Sequence, residues 1–230
     1  MAIYIYTGLP GAGKTTEVAQ VALSKLKTFE REKKQREKFN TALPRLFSNI
    51  RFSKHIEEKY SEYINYFTDI NDLPKWTDSE IFIDEAAVYF DSRFFESLPV
   101  EIRRFLFTHR HLGTNLHLIA QDFKTVDNSF RRLTDTVYYV DKLLSSREPS
   151  PVRKPQKFPY NLASVRTVKK SHWELEKEHY VYTTSKLRLF TRKHFDIFDT
   201  RQELPRQPLP PLRKEVRICP EDNYTRTRYI

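Results

Sequence analysis

Short apolar runs alternate with longer amphipathic stretches along the front of the chain. Ile3-Tyr4-Ile5-Tyr6 is β-branched and aromatic throughout, as a buried strand is. Over residues 14–38 the apolar positions Val18, Val21, Ala22, Leu26 and Phe29 follow helical spacing. The second half of that helix is densely charged and predicted to face solvent. Leu46-Phe47-Ser48-Asn49-Ile50 reads as a second strand. Ile56, Tyr60, Tyr63 and Ile64 predict a helix over residues 53–68. Ile81-Phe82-Ile83 predicts a third strand, and residues 100–111 a helix that stops near Gly113. Leu116, Leu118 and Ile119 predict a fourth strand, and Val137-Tyr138-Tyr139-Val140 a fifth. Strands alternating with helices predict an α/β fold, with a mainly parallel sheet covered on both faces.

From Leu144 the pattern breaks. Pro149, Pro151, Pro155 and Pro159 punctuate a basic stretch, and two strand-like runs then flank Thr183-Thr184-Ser185-Lys186. These runs predict an antiparallel hairpin over residues 173–191. The expected organisation is a core at 1–143, a basic Pro-rich linker at 144–160, a β-hairpin extension completing the domain at 161–200, and an extended basic tail at 201–230. Charge follows the same division. Residues 1–143 carry 21 Lys and Arg against 20 Asp and Glu, whereas residues 144–230 carry 19 against 10. A neutral front and a basic back suggest a catalytic core joined to a segment that meets a polyanion such as nucleic acid.

The single cysteine, Cys219, excludes an intramolecular disulfide. No apolar run reaches membrane-spanning length, and the N-terminal strand leads directly into a glycine loop, unlike a secretory signal. The expectation is a cytoplasmic protein that meets a membrane only through a partner.

Three of the chain's four glycines fall within six residues, in Gly8-Leu9-Pro10-Gly11-Ala12-Gly13-Lys14-Thr15. A strand precedes this loop and a helix follows it. Successive backbone N–H groups and the helix N-terminus can then converge on the phosphates of ATP, with Thr16 closing the contact set. Lys14 is placed to neutralise β- and γ-phosphate oxygens, and the Thr15 hydroxyl to face Mg²⁺. Ile81-Phe82-Ile83-Asp84-Glu85 is a hydrophobic strand ending in two acids. Asp84 is the candidate for the Mg²⁺ shell, and Glu85 for the base that deprotonates an attacking water. Gln121 closes the strand Leu116 to Ala120 and is the candidate sensor of the γ-phosphate. Positive charge for the transition state could come from Arg110, Arg131 or Arg132, from the same or a neighbouring subunit, and the sequence leaves the three open. His109, His111 and His117 lack a complementary Cys or carboxylate pattern, so nucleic-acid contact or packing fits them better than a metal.

This ordered set resembles the zonular occludens toxin N-terminal domain family. The residues that carry the resemblance are Gly8 to Thr15, the strand end Ser48-Asn49-Ile50, Phe82-Ile83-Asp84-Glu85-Ala86, Arg110-His111, Leu118-Ile119-Ala120-Gln121 and Phe198-Asp199-Thr200. That family is similar to the assembly ATPases of filamentous phages and lies near the FtsK/HerA packaging and translocation ATPases. The resemblance implies a RecA-like core, a homo-oligomeric ring, and ATP hydrolysis coupled to moving single-stranded phage DNA. It places Lys14, Thr15, Asp84, Glu85 and Gln121 in the roles just given. Filamentous-phage members usually carry a membrane span after the ATPase domain, and this sequence has none. That departure favours partnership with a capsid portal or a separate membrane assembly protein. Toxin activity does not carry over. The alternatives are a nucleoside-monophosphate-type kinase and a nucleotide-dependent scaffold that recruits partners through its Pro-rich tail.

Overall fold

The computed structural model describes residues 2–90, 99–144, 161–169 and 184–198. Within them a single sheet has the strand order β3-β2-β4-β5-β1-β6-β7-β8. The strands are β1 (Ile3–Thr7), β2 (Arg45–Ser48), β3 (Ile64–Tyr66), β4 (Ser79–Ile83), β5 (Asn115–Ile119), β6 (Thr136–Leu144), β7 (Asn161–Lys169) and β8 (Thr184–Phe190). Every pairing from β3 through β6 is parallel, while β7 is antiparallel to both β6 and β8. The fold is therefore α/β with a mainly parallel sheet, of the RecA-like P-loop kind.

Alternation along each strand assigns its two faces. Ile3, Ile5, Ile81, Ile83, Leu116 and Leu118 point into one core, with Ile102, Phe105 and Leu106 of α4 (Val100–Thr108) and Phe130 of α5 (Asn128–Leu133). Tyr6, Phe82 and Ile119 point to the other side, where Val18, Ala19, Ala22, Leu26 and Phe29 of α1 (Lys14–Lys38) cover them. His117 faces the α1 side, stacked on Phe82 with ring centroids 4.4 Å apart, and its Nε2 lies 2.9 Å from Glu80 Oε2. His109 is also buried, with Nδ1 2.6 Å from the Leu106 carbonyl. Both are packing residues.

Two expectations are corrected. The helix predicted over residues 53–68 is only α2 (Lys54–Lys59), and the chain then turns and forms β3 on the sheet edge. Tyr60 and Tyr63 are buried beside Phe29 in the turn rather than on a helix face. Ile64 and Tyr66, β-branched and aromatic, flank Asn65 along an open edge of β2, and ladder hydrogen bonding wins over local helical spacing. The hairpin expected at 173–191 is also misplaced. Thr184, Ser185 and Lys186 lie inside β8, not in a turn, and the partner of β8 is β7. Val165 sits opposite both Val140 and Lys186 in that ladder. Residues 173–183 of the expected hairpin, residues 145–160 of the expected linker at 144–160, and the whole expected tail at 201–230 lie outside the described residues.

After β8 the chain forms the short α6 (Arg192–Phe195) against α1. It then delivers Ile197 and Phe198 to Phe52, beyond the end of β2, where the Ser53 N–H donates to the Ile197 carbonyl at 2.9 Å. The hairpin and this strap enclose the first turns of α1.

Candidate functional site

The strand order positions the site. β1 and β4 both end at the same edge of the sheet with β5 between them, so the loop after β1 and the acids after β4 face each other across the end of β5. Gly8 can leave β1 only because it lacks a side chain. At φ +146° a Cβ there would stand 2.1 Å from the Val140 carbonyl oxygen of β6. Gly13, at φ +97°, lies against the Phe190 ring, which a Cβ would meet at 2.6 Å. Ala12 packs with Val140, Ala163, Val165 and Phe190 in a small core of its own. The back wall of the loop is thus built by the hairpin strands. Leu9, Pro10 and Gly11 form the exposed rim, and Thr15 and Thr16 lie partly buried on the first turn of α1.

Lys14 is nearly buried, and its Nζ donates to the carbonyls of Gly8 at 2.6 Å and Leu9 at 3.0 Å. Burial lowers its pKa, opposed by the charges of Asp84 and Glu85. The ammonium is therefore held across the mouth of the loop by neutral oxygens, which an anionic ligand can replace. The Thr15 hydroxyl donates to Asp84 Oδ2 at 3.3 Å. Two hard oxygen donors meeting beside a phosphate-binding loop suit Mg²⁺, which needs few protein ligands and keeps several waters. Burial raises the Asp84 pKa, and the neighbouring Glu85 charge adds to that. The Glu85 N–H, Thr15 and Lys14 pull it back down.

Asn49, at the end of β2, holds this acid by its backbone. Its Oδ1 accepts from the Asp84 N–H at 2.8 Å, and its Nδ2 donates to the Asp84 carbonyl at 2.9 Å. A carboxamide that pairs with both backbone groups of one residue fixes the chain direction where β4 ends. The sequence marked Asn49 only as a strand-end residue; its partnership depends on β2 and β4 being neighbours. Glu85 follows in a left-handed conformation, φ 51° and ψ 46°, as the N-cap of α3 (Ala86–Tyr89), and its N–H donates to Asp84 Oδ1 at 2.9 Å. A left-handed turn at a residue other than glycine is strained, and Glu85 is partly buried there.

Gln121 contributes its backbone: its carbonyl accepts from the Gly8 N–H at 3.4 Å and from the Thr7 hydroxyl at 3.3 Å, while its side chain is exposed at the same sheet edge. Of the three candidate arginines, Arg110 lies away from the loop. Arg110 Nη2 donates to Asp135 Oδ1 at 2.9 Å, and Asp135 Oδ2 accepts from the Ile3 N–H at 3.0 Å. Ile3 begins β1, so Arg110 stands at the opposite edge of the sheet from its own phosphate loop and is 56% exposed. Arg131 stacks over Phe123 at 5.7 Å, and Arg132 is exposed on the last turn of α5. A further contact missed by the sequence is Arg188 of β8, whose Nε donates to buried Glu17 of α1 at 3.2 Å. It ties the hairpin to the phosphate-loop helix.

Phe190 is 1% exposed and fills the space behind Ala12 and Gly13. Phe190→Ala is expected to destabilise the domain by about 3 kcal/mol or more. The check is a lower urea midpoint with an unchanged denaturant slope.

A phosphate-binding loop after β1, an acid pair after β4 and one intervening strand define the class as a P-loop NTPase fold. A model of the zonular occludens toxin (Zot) family matches residues 2–188, and the chain belongs to that family. No curated protein matches it. Among solved structures, the N-terminal domain of zonular occludens toxin from Neisseria meningitidis superposes with a TM-score of 0.51 at 20% identity, covering 86% of this chain and 98% of that one. It has the same fold. The DNA-packaging ATPase B204 from Sulfolobus turreted icosahedral virus superposes with a TM-score of 0.48 at 14% identity, covering 81% and 96%. A KaiC-like protein from Pyrococcus horikoshii gives 0.44 at 13% identity, covering 86% and 88%. Among the described residues no helix is long and apolar enough to cross a membrane.

Proposed function

We propose that the chain is an ATP-hydrolysing motor that packages, translocates or extrudes viral DNA, single-stranded by preference, during virion assembly. The observation that supports the hydrolytic part is the convergence of Lys14, Thr15 and Asp84 at one end of the sheet, with Glu85 following Asp84 in a left-handed turn. The loop N–H groups and Lys14 bind and orient the phosphates, the ammonium exchanging the Gly8 and Leu9 carbonyls for phosphate oxygens. Thr15 and Asp84 would hold Mg²⁺, which when bound would supply positive charge against the phosphates. Glu85 accepts the proton of the attacking water, and Gln121 orients that water or the γ-phosphate from the end of β5. Arg110 of a neighbouring copy brings the last positive charge, since its own phosphate loop is out of its reach. A homo-oligomeric ring is the arrangement that supplies it.

The nucleic-acid half of the reading rests on family membership and on the excess of basic residues after residue 143. Lys169, at the end of β7, and Arg153, Lys154, Lys170 and the tail arginines, outside the described residues, are the proposed backbone contacts. Such contacts are salt-sensitive and indifferent to sequence. Cytoplasmic action beside a capsid portal or a separate membrane assembly protein completes the proposal.

Steady-state phosphate release from Mg-ATP, with and without single-stranded DNA, tests it. Release is expected to rise with DNA and to lose that stimulation as salt is raised. DNA-independent consumption of ATP that is stoichiometric with an added nucleoside monophosphate would replace the motor with a kinase.

A further inference from the structure

Resting on the nucleotide-binding reading, one part of the ligand still needs a place: the base. The acids fix the orientation. Asp84 and Glu85 stand on the β4 side of the phosphate loop, so the γ-phosphate lies on that side. The α-phosphate then falls near Thr16, and the nucleoside leaves toward the opposite flank, where β6, β8 and α6 lie. On that flank the described residues offer an aromatic step. Phe190 is buried against Gly13 itself. Phe195 of α6 stands edge-on to it, with ring centroids 6.4 Å apart at 68°, and is 37% exposed. The strap that carries Phe195 is anchored at both ends, by the β8 ladder and by Ile197 and Phe198 against Phe52. Thr191 N–H donates to His194 Nδ1 at 2.9 Å and fixes the turn that starts α6. A partly exposed aromatic ring on an anchored strap, packed on the Phe190 that backs Gly13, is a stacking surface held in advance of its ligand.

We infer that Phe195, seated on Phe190, is the platform on which the purine base of the bound nucleotide stacks. Stacking uses the face of the base and not its hydrogen-bonding edge, so Phe195 contributes equally to adenine and guanine nucleotides.

The test compares three probes on the full chain, each with Mg²⁺: a non-hydrolysable ATP analogue, its GTP counterpart and inorganic tripolyphosphate. Phe195→Ala is expected to weaken both nucleotides by about ten-fold or more and to leave tripolyphosphate within about two-fold. Phe195→Trp is expected to restore nucleotide affinity. Unchanged nucleotide affinity in Phe195→Ala overturns the assignment while leaving the phosphate loop intact. Equal losses for nucleotide and tripolyphosphate overturn it too, because they mark a structural role for the ring. Wild-type protein that binds none of the three, or binds them regardless of Lys14→Ala, removes the nucleotide reading itself and this assignment with it.

Discussion

Glu85→Gln is expected to lower ATP turnover by about 10²–10⁴-fold while leaving the affinity for Mg-bound nucleotide nearly unchanged. The two halves of that result have separate physical causes. A carboxamide has almost the size and shape of the carboxylate and keeps the backbone N–H that Asp84 Oδ1 accepts at 2.9 Å. The turn at φ 51° also survives, because neither residue changes the Cβ geometry. What disappears is a basic oxygen able to take a proton from water. Binding depends on Lys14, the loop N–H groups and the pair Thr15–Asp84, none of which the substitution touches. Asp84→Asn is the informative contrast. It removes charge from the Mg²⁺ position, so its defect should shrink as Mg²⁺ is raised, and the Glu85→Gln defect should not. The measurements are steady-state phosphate release and equilibrium binding of a non-hydrolysable analogue. Turnover within a few-fold of wild type in Glu85→Gln would place the base elsewhere.

The parts of this site legible in the sequence are those written locally. Gly8 to Thr15 needs only a strand before it and a helix after it, and both were readable from Ile3 to Tyr6 and from the spacing of Val18, Ala22 and Leu26. Asp84 was readable because a run as apolar as Ile81-Phe82-Ile83 can only be a buried strand, which must end before two acids. The rest depends on which strands are neighbours, and local periodicity carries no such information. Asn49 clamps Asp84 because β2 lies beside β4. Phe190 backs Gly13 because β7 and β8 extend the sheet past β6 and bring the chain back to α1. The helix that spacing predicts over residues 53–68 fails for the same reason. Tyr60 and Tyr63 do meet one core, but from a turn, and Ile64 to Tyr66 answer to the edge of β2. Arg110 shows the limit most plainly. Nothing in Thr108-His109-Arg110-His111 distinguishes a residue at the phosphate edge of the sheet from one at the far edge, and the pairing with Asp135 decides it.

That position of Arg110 sets the second large effect. Arg110→Ala is expected to lower turnover by about 10³-fold or more, yet to fold normally. The Asp135 pair it breaks is partly exposed and contributes little to stability, and Asp135 keeps its bond to the Ile3 N–H. The discriminating measurement is a mixture of two inactive proteins. In a head-to-tail ring each site combines the Glu85 of one copy with the Arg110 of the next. A site formed by an Arg110→Ala copy next to a Glu85→Gln copy then holds one intact Glu85 and one intact Arg110. With random mixing in equal amounts, about a quarter of the interfaces are of this kind, and turnover is expected to recover toward that fraction of wild type. Mixing wild type with the double variant Arg110→Ala/Glu85→Gln gives the matching control, in which about a quarter of interfaces are again complete. If Arg110 served its own site, or only braced Asp135, the two single variants could not rescue each other, and the mixture would stay as inactive as its components. Recovery would therefore establish both the shared site and the direction in which one copy faces the next. The edge of the sheet that carries Arg110 would be turned toward the neighbour's phosphate loop.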